Sequence, residues 1–177
     1  MEKIMSPVMI LTVVAAVIYA GILFSIPFRV KKIEKSIGEL KIRLESVSVI
    51  RVAVIFIVCA GLLSVVPLRN FQTYIAAIFL GVALLGAYIA SSEALSVNRA
   101  GIYQNGLIFG TEALLYEKIE ALPTLTYEKD PDTTMVDYSV LQILKKDGGK
   151  AELIFSSPEK REEALAAILE ACPRLKA

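Results

Sequence analysis

The stretch Ile4–Phe28 reads IMSPVMILTVVAAVIYAGILFSIPF, 25 consecutive residues without a charge. A helix needs about 20 predominantly apolar residues to cross the hydrocarbon core of a bilayer. This run exceeds the apolar core of a secretory signal, about 7–15 residues, and no small-residue cleavage pattern closes it, so a retained span is expected. Pro7 suits a first helical turn, where a missing N–H costs little. Pro27 falls near the far end, where it would kink the exit.

Two more runs follow. Ser46–Leu68 carries Arg51 as its only charge, and Asn70–Ser92 carries none. The predicted helices cover residues 5–28, 47–68 and 73–91. Phe71, Tyr74 and Tyr88 fit aromatic belts at the two interfaces. Small residues recur at four-residue spacing in Ala16/Ala20, Gly21/Ser25, Ala60/Ser64, Ala77/Gly81 and Ala83/Ala87. Such spacing lets helix backbones approach closely, either inside one bundle or between copies of the chain.

Over the whole chain, 177 residues are 55% hydrophobic with a net charge of +1. The average conceals two halves. Residues 1–90 hold nine Lys/Arg and four Asp/Glu, whereas residues 91–177 hold ten and fourteen. A very apolar half of net charge +5 therefore precedes an ordinary half of net charge −4. This excludes a single soluble globule, a disordered chain and a disulfide scaffold. Cys59 and Cys172 imply no disulfide framework, and there is no histidine. A His-based triad or a Cys/His metal site cannot be built from this chain.

The segment between the first two spans, residues 29–46, holds Arg29, Lys31, Lys32, Lys35, Lys41 and Arg43. The segment between the second and third, residues 67–73, holds only Arg69. Positive charge collects on the cytoplasmic side, which puts the first loop and the C-terminal half inside and the N-terminus outside. Within the loop, Val30, Ile33, Ile37, Leu40, Leu44 and Val47 are spaced as a heptad seam. Two arrangements fit: an amphipathic helix on the inner leaflet, or a helical hairpin that prolongs the first two spans and turns at Ser36–Gly38. Gly38 favours the hairpin. Arg51 fits a snorkelling arginine near the cytoplasmic end, with a buried functional charge as the alternative. These seven basic residues are the candidate contacts for anionic lipid.

The domain boundary is expected at residue 92. Residues 93–177 read as short strands followed by a helix. Gly101–Tyr103 and Leu107–Phe109 flank Gln104-Asn105-Gly106, a strong hairpin signal. Glu112–Leu115, Leu122–Glu128, Val136–Leu144 and Ala151–Phe155 are further strand candidates, with turns at Lys129–Asp132 and Lys146–Gly149. Ser157 is a good N-cap, Pro158 fits the first helical position, and Glu159 favours the positive end of the dipole. Leu165, Ile168, Leu169 and Cys172 form a stripe of helical period, and Pro173 stops it. The expected fold class is three transmembrane helices followed by an α+β domain, an antiparallel barrel or sandwich closed by one helix.

The stretch Ser96–Tyr103, the Asn105-Gly106 turn and Leu115-Tyr116-Glu117-Lys118-Ile119 resemble the opening of bacterial pleckstrin-homology-like domains. In that family a Gly-Ile step precedes a hairpin and an aromatic-x-x-Ile step follows it. A final hairpin and a C-terminal helix complete the fold, as Val136–Phe155 and Pro158–Cys172 would here. Tyr116 stands where tryptophan is more typical. The resemblance implies a small membrane-anchored protein of the bacterial inner membrane, with Tyr116 and Ile119 in the core. Eukaryotic pleckstrin-homology domains that bind phosphoinositides cluster basic residues around the first hairpins. Here Arg99 is the only one in that region and the domain is acidic, so no headgroup site is expected on it.

No phosphate loop, dinucleotide fingerprint or nucleophile elbow is present. The spans hold no acidic residue for a proton relay. The acidic half would repel nucleic acid. Catalysis, a metal and a cofactor are therefore not expected. The expected role is a membrane-anchored scaffold or regulatory module for a protein partner, or for self-association through the spans. The alternative is a small lipid-handling or transport-accessory subunit that contacts anionic lipid through the basic loop.

Overall fold

The computed structural model describes residues 6–69, 71–125 and 137–176. Ser6 caps the first helix by accepting from the Met9 N–H at 3.3 Å. Helix α1 then runs over Pro7–Ile37, α2 over Val49–Val65 with a 3₁₀ turn at Val66–Leu68, and α3 over Thr73–Glu93. All three are long and apolar enough to cross a bilayer. They mark a multi-pass membrane protein. The chain divides into two compact units. One contains the three spans, and the other contains residues 34–45 with most of the chain from Arg99 onward.

The spans pack through small side chains. Ala76, Leu80, Ala83 and Ala87 of α3 form a buried stripe at helical period. It meets Cys59 and Leu63 of α2 and Ala15 of α1. Small residues at such positions let helices approach without a large hydrophobic driving force, which lipid does not supply. Of the small-residue pairs read from the sequence, Ala83/Ala87 lies in this seam, whereas Gly21, Ala77 and Gly81 face outward. Across the seam, the Tyr19 hydroxyl donates to the Phe56 carbonyl at 2.9 Å. Ile57, Ile78 and Leu85 stay exposed on the outer faces, as expected of surfaces that meet acyl chains.

The second unit holds seven strands and a closing helix among the described residues. Strands β1 (Leu40–Arg43), β2 (Gly101–Tyr103), β3 (Gly106–Phe109) and β4 (Glu112–Leu115) form one antiparallel meander. Strands β5 (Ile119–Ala121), β6 (Val140–Lys145) and β7 (Lys150–Ile154) form another. Helix α4 covers Pro158–Ala171. Its N-cap, Ser157, accepts from the Lys160 N–H at 3.4 Å. Ile102, Leu107, Tyr116, Ile119, Leu141, Ile143, Leu153 and Ile168 are buried in a common core. The N–H groups of the buried Arg161 and of Arg174 tie α4 and the segment after it to backbone carbonyls of Val140 and Ile119.

Three expectations need correction. Residues 29–46 are not one surface helix, and only the first leg of the helical hairpin forms. The reversal does fall at Gly38, whose φ of +81° places it in the left-handed region that ends helices and suits glycine. The returning leg, however, is β1, an edge strand of the C-terminal sheet. Leu40, Ile42 and Leu44 alternate with Lys41, Arg43 and Glu45, and Ile42 and Leu44 pack against the core. A two-residue period therefore competes with the heptad reading and wins, because pairing with β2 satisfies the backbone. It follows that the 92/93 boundary does not separate the units, since residues 34–45 belong to the second. Helix α1 continues past Pro27 to Ile37, as the first leg of the hairpin reading requires. Finally, the strand expected at Leu122–Glu128 lies earlier, at Ile119–Ala121, and residues 123–125 are helical. Pro123 cannot donate to a ladder and suits a first helical turn. The Lys129–Asp132 turn and the start of the Val136–Leu144 strand fall outside the described residues.

The β1–β2 pairing is close. Leu40 faces Tyr103, Ile42 faces Ile102 and Arg43 faces Gly101, with a bulge between Leu40 and Ile42. A Cβ placed on Gly101 would overlap the Leu40 side chain and lie 2.6 Å from the Ile42 carbonyl oxygen. The Gly-Ile step thus has a packing reason: glycine makes room for the first strand. Gly101→Val should lift β1 from the sheet and destabilise the second unit by about 2 kcal/mol, within the range for overpacked sites. Urea unfolding followed by tyrosine fluorescence, practicable because the chain has no tryptophan, would reveal the shift. An unchanged midpoint would contradict the pairing.

Candidate functional site

The candidate lipid contacts fall on three elements and are divided between the two units. Arg29, Lys31, Lys32 and Lys35 follow one another on α1, Lys41 and Arg43 lie on β1, and Arg51 lies in the first turn of α2. Lys31 and Lys35 are exposed. Ion pairs within the second unit involve this segment. Lys41 Nζ lies 3.4 Å from Glu170 of α4. Glu45 receives Lys160 at 3.5 Å. Hydrogen bonds from Ser156 and Lys160 hold the Glu45 carboxyl below the ordinary glutamate range. Arg99, just before the first hairpin, bonds Glu34 at 2.7 Å. These are exposed pairs, each contributing about 1 kcal/mol or less.

The strongest polar arrangement belongs to the span unit. Arg51 Nη2 lies 3.0 Å from Glu93 Oε1 at the end of α3. The Arg51 side chain is 65% exposed and that of Glu93 only 10%. Glu93 Oε2 is buried without a hydrogen-bond partner. Two residues earlier on α3, Ser91 Oγ accepts from Arg29 Nη1 at 3.4 Å and donates to the Tyr88 carbonyl at 2.7 Å. A carboxylate at a helix C-terminus opposes the macrodipole, so Glu93 depends on its arginine.

From the sequence alone Arg51 reads as a lone charge, and Glu93 has no assigned role. The signal is present nonetheless. Arg51 lies just inside the second apolar run and Glu93 just beyond the third. Consecutive spans run in opposite directions, so those two positions fall at the same membrane face.

In the second unit, Tyr116 is a core residue, as its aromatic-x-x-Ile position implies. Its hydroxyl donates to the Tyr103 carbonyl at 3.0 Å. Burial, with a smaller contribution from Cys172, pushes its pKa up to about 12. No group of three or more His, Cys, Asp or Glu among the described residues is arranged to hold a metal ion.

No family model, no curated protein and no solved structure matches this chain. Its function must be argued from its own residues.

The raised Tyr116 pKa yields a pH prediction. The folded state holds the phenolic proton more tightly than the unfolded state, so this contribution to stability is complete below pH 10, the ordinary tyrosine value. It is lost as pH rises toward about 12. The unfolding midpoint of the second unit should fall across this window. Tyr116→Phe should flatten the fall while lowering the midpoint at neutral pH, because the Tyr103 carbonyl loses its donor. Identical alkaline curves for both proteins would contradict this role.

Proposed function

We propose that this protein is a membrane-anchored binding module of the bacterial inner membrane. Three spans hold a pleckstrin-homology-like unit at the cytoplasmic face, where it contacts a protein partner. Several features support the pleckstrin-homology-like reading. Seven strands run in two antiparallel meanders, the first hairpin turns at Asn105, and a single helix follows the last hairpin. In this reading β1, contributed from between the spans, is the first strand of the domain.

The orientation rests on charge and connectivity. Six of the nine basic residues in the first half lie between the first two spans. Because β1 and β2 share a sheet, the segment after the first span and the segment after the third belong to the same aqueous compartment. The positive-inside rule makes that compartment the cytoplasm.

The observation that carries the binding role is an exposed apolar residue on a sheet edge. Strand β7 ends its sheet, and no strand pairs with its outer edge among the described residues. Ile154 on β7 is 77% exposed, far more than the neighbouring Leu153 and Phe155, which are buried. An unpaired edge next to an exposed apolar side chain offers backbone hydrogen bonds and one anchoring contact to an extended peptide.

Both parts are testable. In a background lacking Cys59 and Cys172, Gln72→Cys should react with an impermeant maleimide on intact cells. Lys146→Cys should react only after permeabilisation. The opposite pattern would reverse the orientation. For binding, gentle extraction should recover a stoichiometric protein partner. Ile154→Glu should reduce its recovery about tenfold, equivalent to about 1.4 kcal/mol, without shifting the unfolding midpoint. Full recovery with the Ile154→Glu protein would exclude this edge.

A further inference from the structure

The end of α3 carries a charge imbalance that the ion pair does not remove. Arg29 and Arg51 both reach this level of the span unit, through Ser91 and Glu93 respectively. Together they bring two positive charges against one carboxylate. Glu93 engages one edge of the Arg51 guanidinium through a single oxygen. A guanidinium has five N–H donors in a rigid planar fork, so most of those on Arg51 remain available on a side chain that is two-thirds exposed. The position is also constrained. Arg51 lies in the first turn of a span, so its exposed side meets the headgroup layer rather than bulk water.

Glu93 makes this more than an ordinary interfacial arginine. Its side chain is nine-tenths buried and keeps an unpartnered oxygen. Leaving a buried carboxylate oxygen unsatisfied is destabilising. Stability alone is better served by an apolar residue of similar size. What Glu93 does achieve is to fix the guanidinium in one orientation, which lowers the entropy cost of binding an anion through two oxygens.

We propose that Arg51, oriented by Glu93 and assisted by the charge on Arg29, binds the phosphodiester of an anionic glycerophospholipid at the cytoplasmic leaflet. Arg51 is the binding residue and Glu93 a positioning residue. The phosphodiester carries the single negative charge that balances the site, and its two free oxygens match the guanidinium fork. The inference rests on the reading of α1–α3 as spans with this end inside. It does not depend on the partner proposed for β7.

The test uses the full chain in nanodiscs of phosphatidylcholine containing a small fraction of phosphatidylglycerol, with retained lipid counted by native mass spectrometry. The wild-type protein should retain phosphatidylglycerol. Arg51→Gln should lower the retained fraction about tenfold. Arg51→Lys keeps the charge but loses the fork, and should also lose several-fold; retention equal to wild type would overturn the oriented site. Glu93→Gln separates orientation from simple attraction. It removes a negative charge locally, so Coulomb attraction alone would strengthen retention, whereas loss of positioning weakens it. Weakening supports the proposal, and strengthening overturns it. Displacement of the lipid by millimolar glycerol 3-phosphate would reassign the site to a soluble phosphate ester. Ile154→Glu should leave lipid retention unchanged, so failure of the partner reading and failure of this one are distinguishable.

Discussion

The backbone hydrogen bonds between Leu40–Arg43 and Gly101–Tyr103 are the interaction on which the rest of the structure depends. They join a strand that precedes the second span to one that follows the third. Both segments must then lie on one side of the bilayer, so the two later helices cross it as a pair or not at all. The local geometry at this junction is demanding. Gly38 turns the chain out of α1 in a left-handed conformation. The hairpin tip then bonds back, with the Asn105 N–H donating to the Ile37 carbonyl and the Gln104 N–H to that of Glu39, each at 3.0 Å. One carbonyl of the last helical turn is thereby satisfied by the sheet rather than by water, and Gly101 leaves space for the strand beside it.

The spans, the first hairpin, the last hairpin and the closing helix are legible in the sequence. Each is written in a local pattern: uncharged length, Asn-Gly between apolar runs, or Ser-Pro before an apolar stripe. Strand β1 is not legible in the same way. The run Leu40-Lys41-Ile42-Arg43-Leu44 fits a strand period and, with Ile37 and Val47, a helix period. Only pairing with a distant segment decides between them. Pro123 likewise ends a strand that alternation alone would continue. As for the candidate site, Arg51 is legible as an unusual residue but its partner is not, because the pairing joins residues from two different apolar runs.

Electrostatics changes in meaning once the fold is known. In the sequence, a basic loop stands against an acidic domain, and the two charges nearly cancel. In the second unit that cancellation is partly local. Glu34 meets Arg99, Glu45 meets Lys160 and Glu170 meets Lys41. Two of these pairs set an acid of residues 29–46 against a base from later in the chain, and one does the reverse. The charge that stands out is the arginine at the start of α2, which holds its carboxylate partner in a largely buried position.

The origin of β1 also bears on biogenesis. Chains are made from the N-terminus at about 5–20 residues per second. Leu40–Arg43 emerges well before its partner strand, and two membrane insertions intervene. Until Gly101–Tyr103 is made, the first strand has no edge to join. Such non-local pairing is slow because its closure entropy comes before its reward. The completed sheet therefore acts as an assembly checkpoint. A chain in which α2 and α3 fail to insert as a pair leaves β1 and β2 on opposite sides of the membrane, with an open strand edge on each. Open edges are templates for pairing with other chains, so a wrongly threaded copy is also a visibly misfolded one. Correct topology and correct folding are read out by the same few hydrogen bonds.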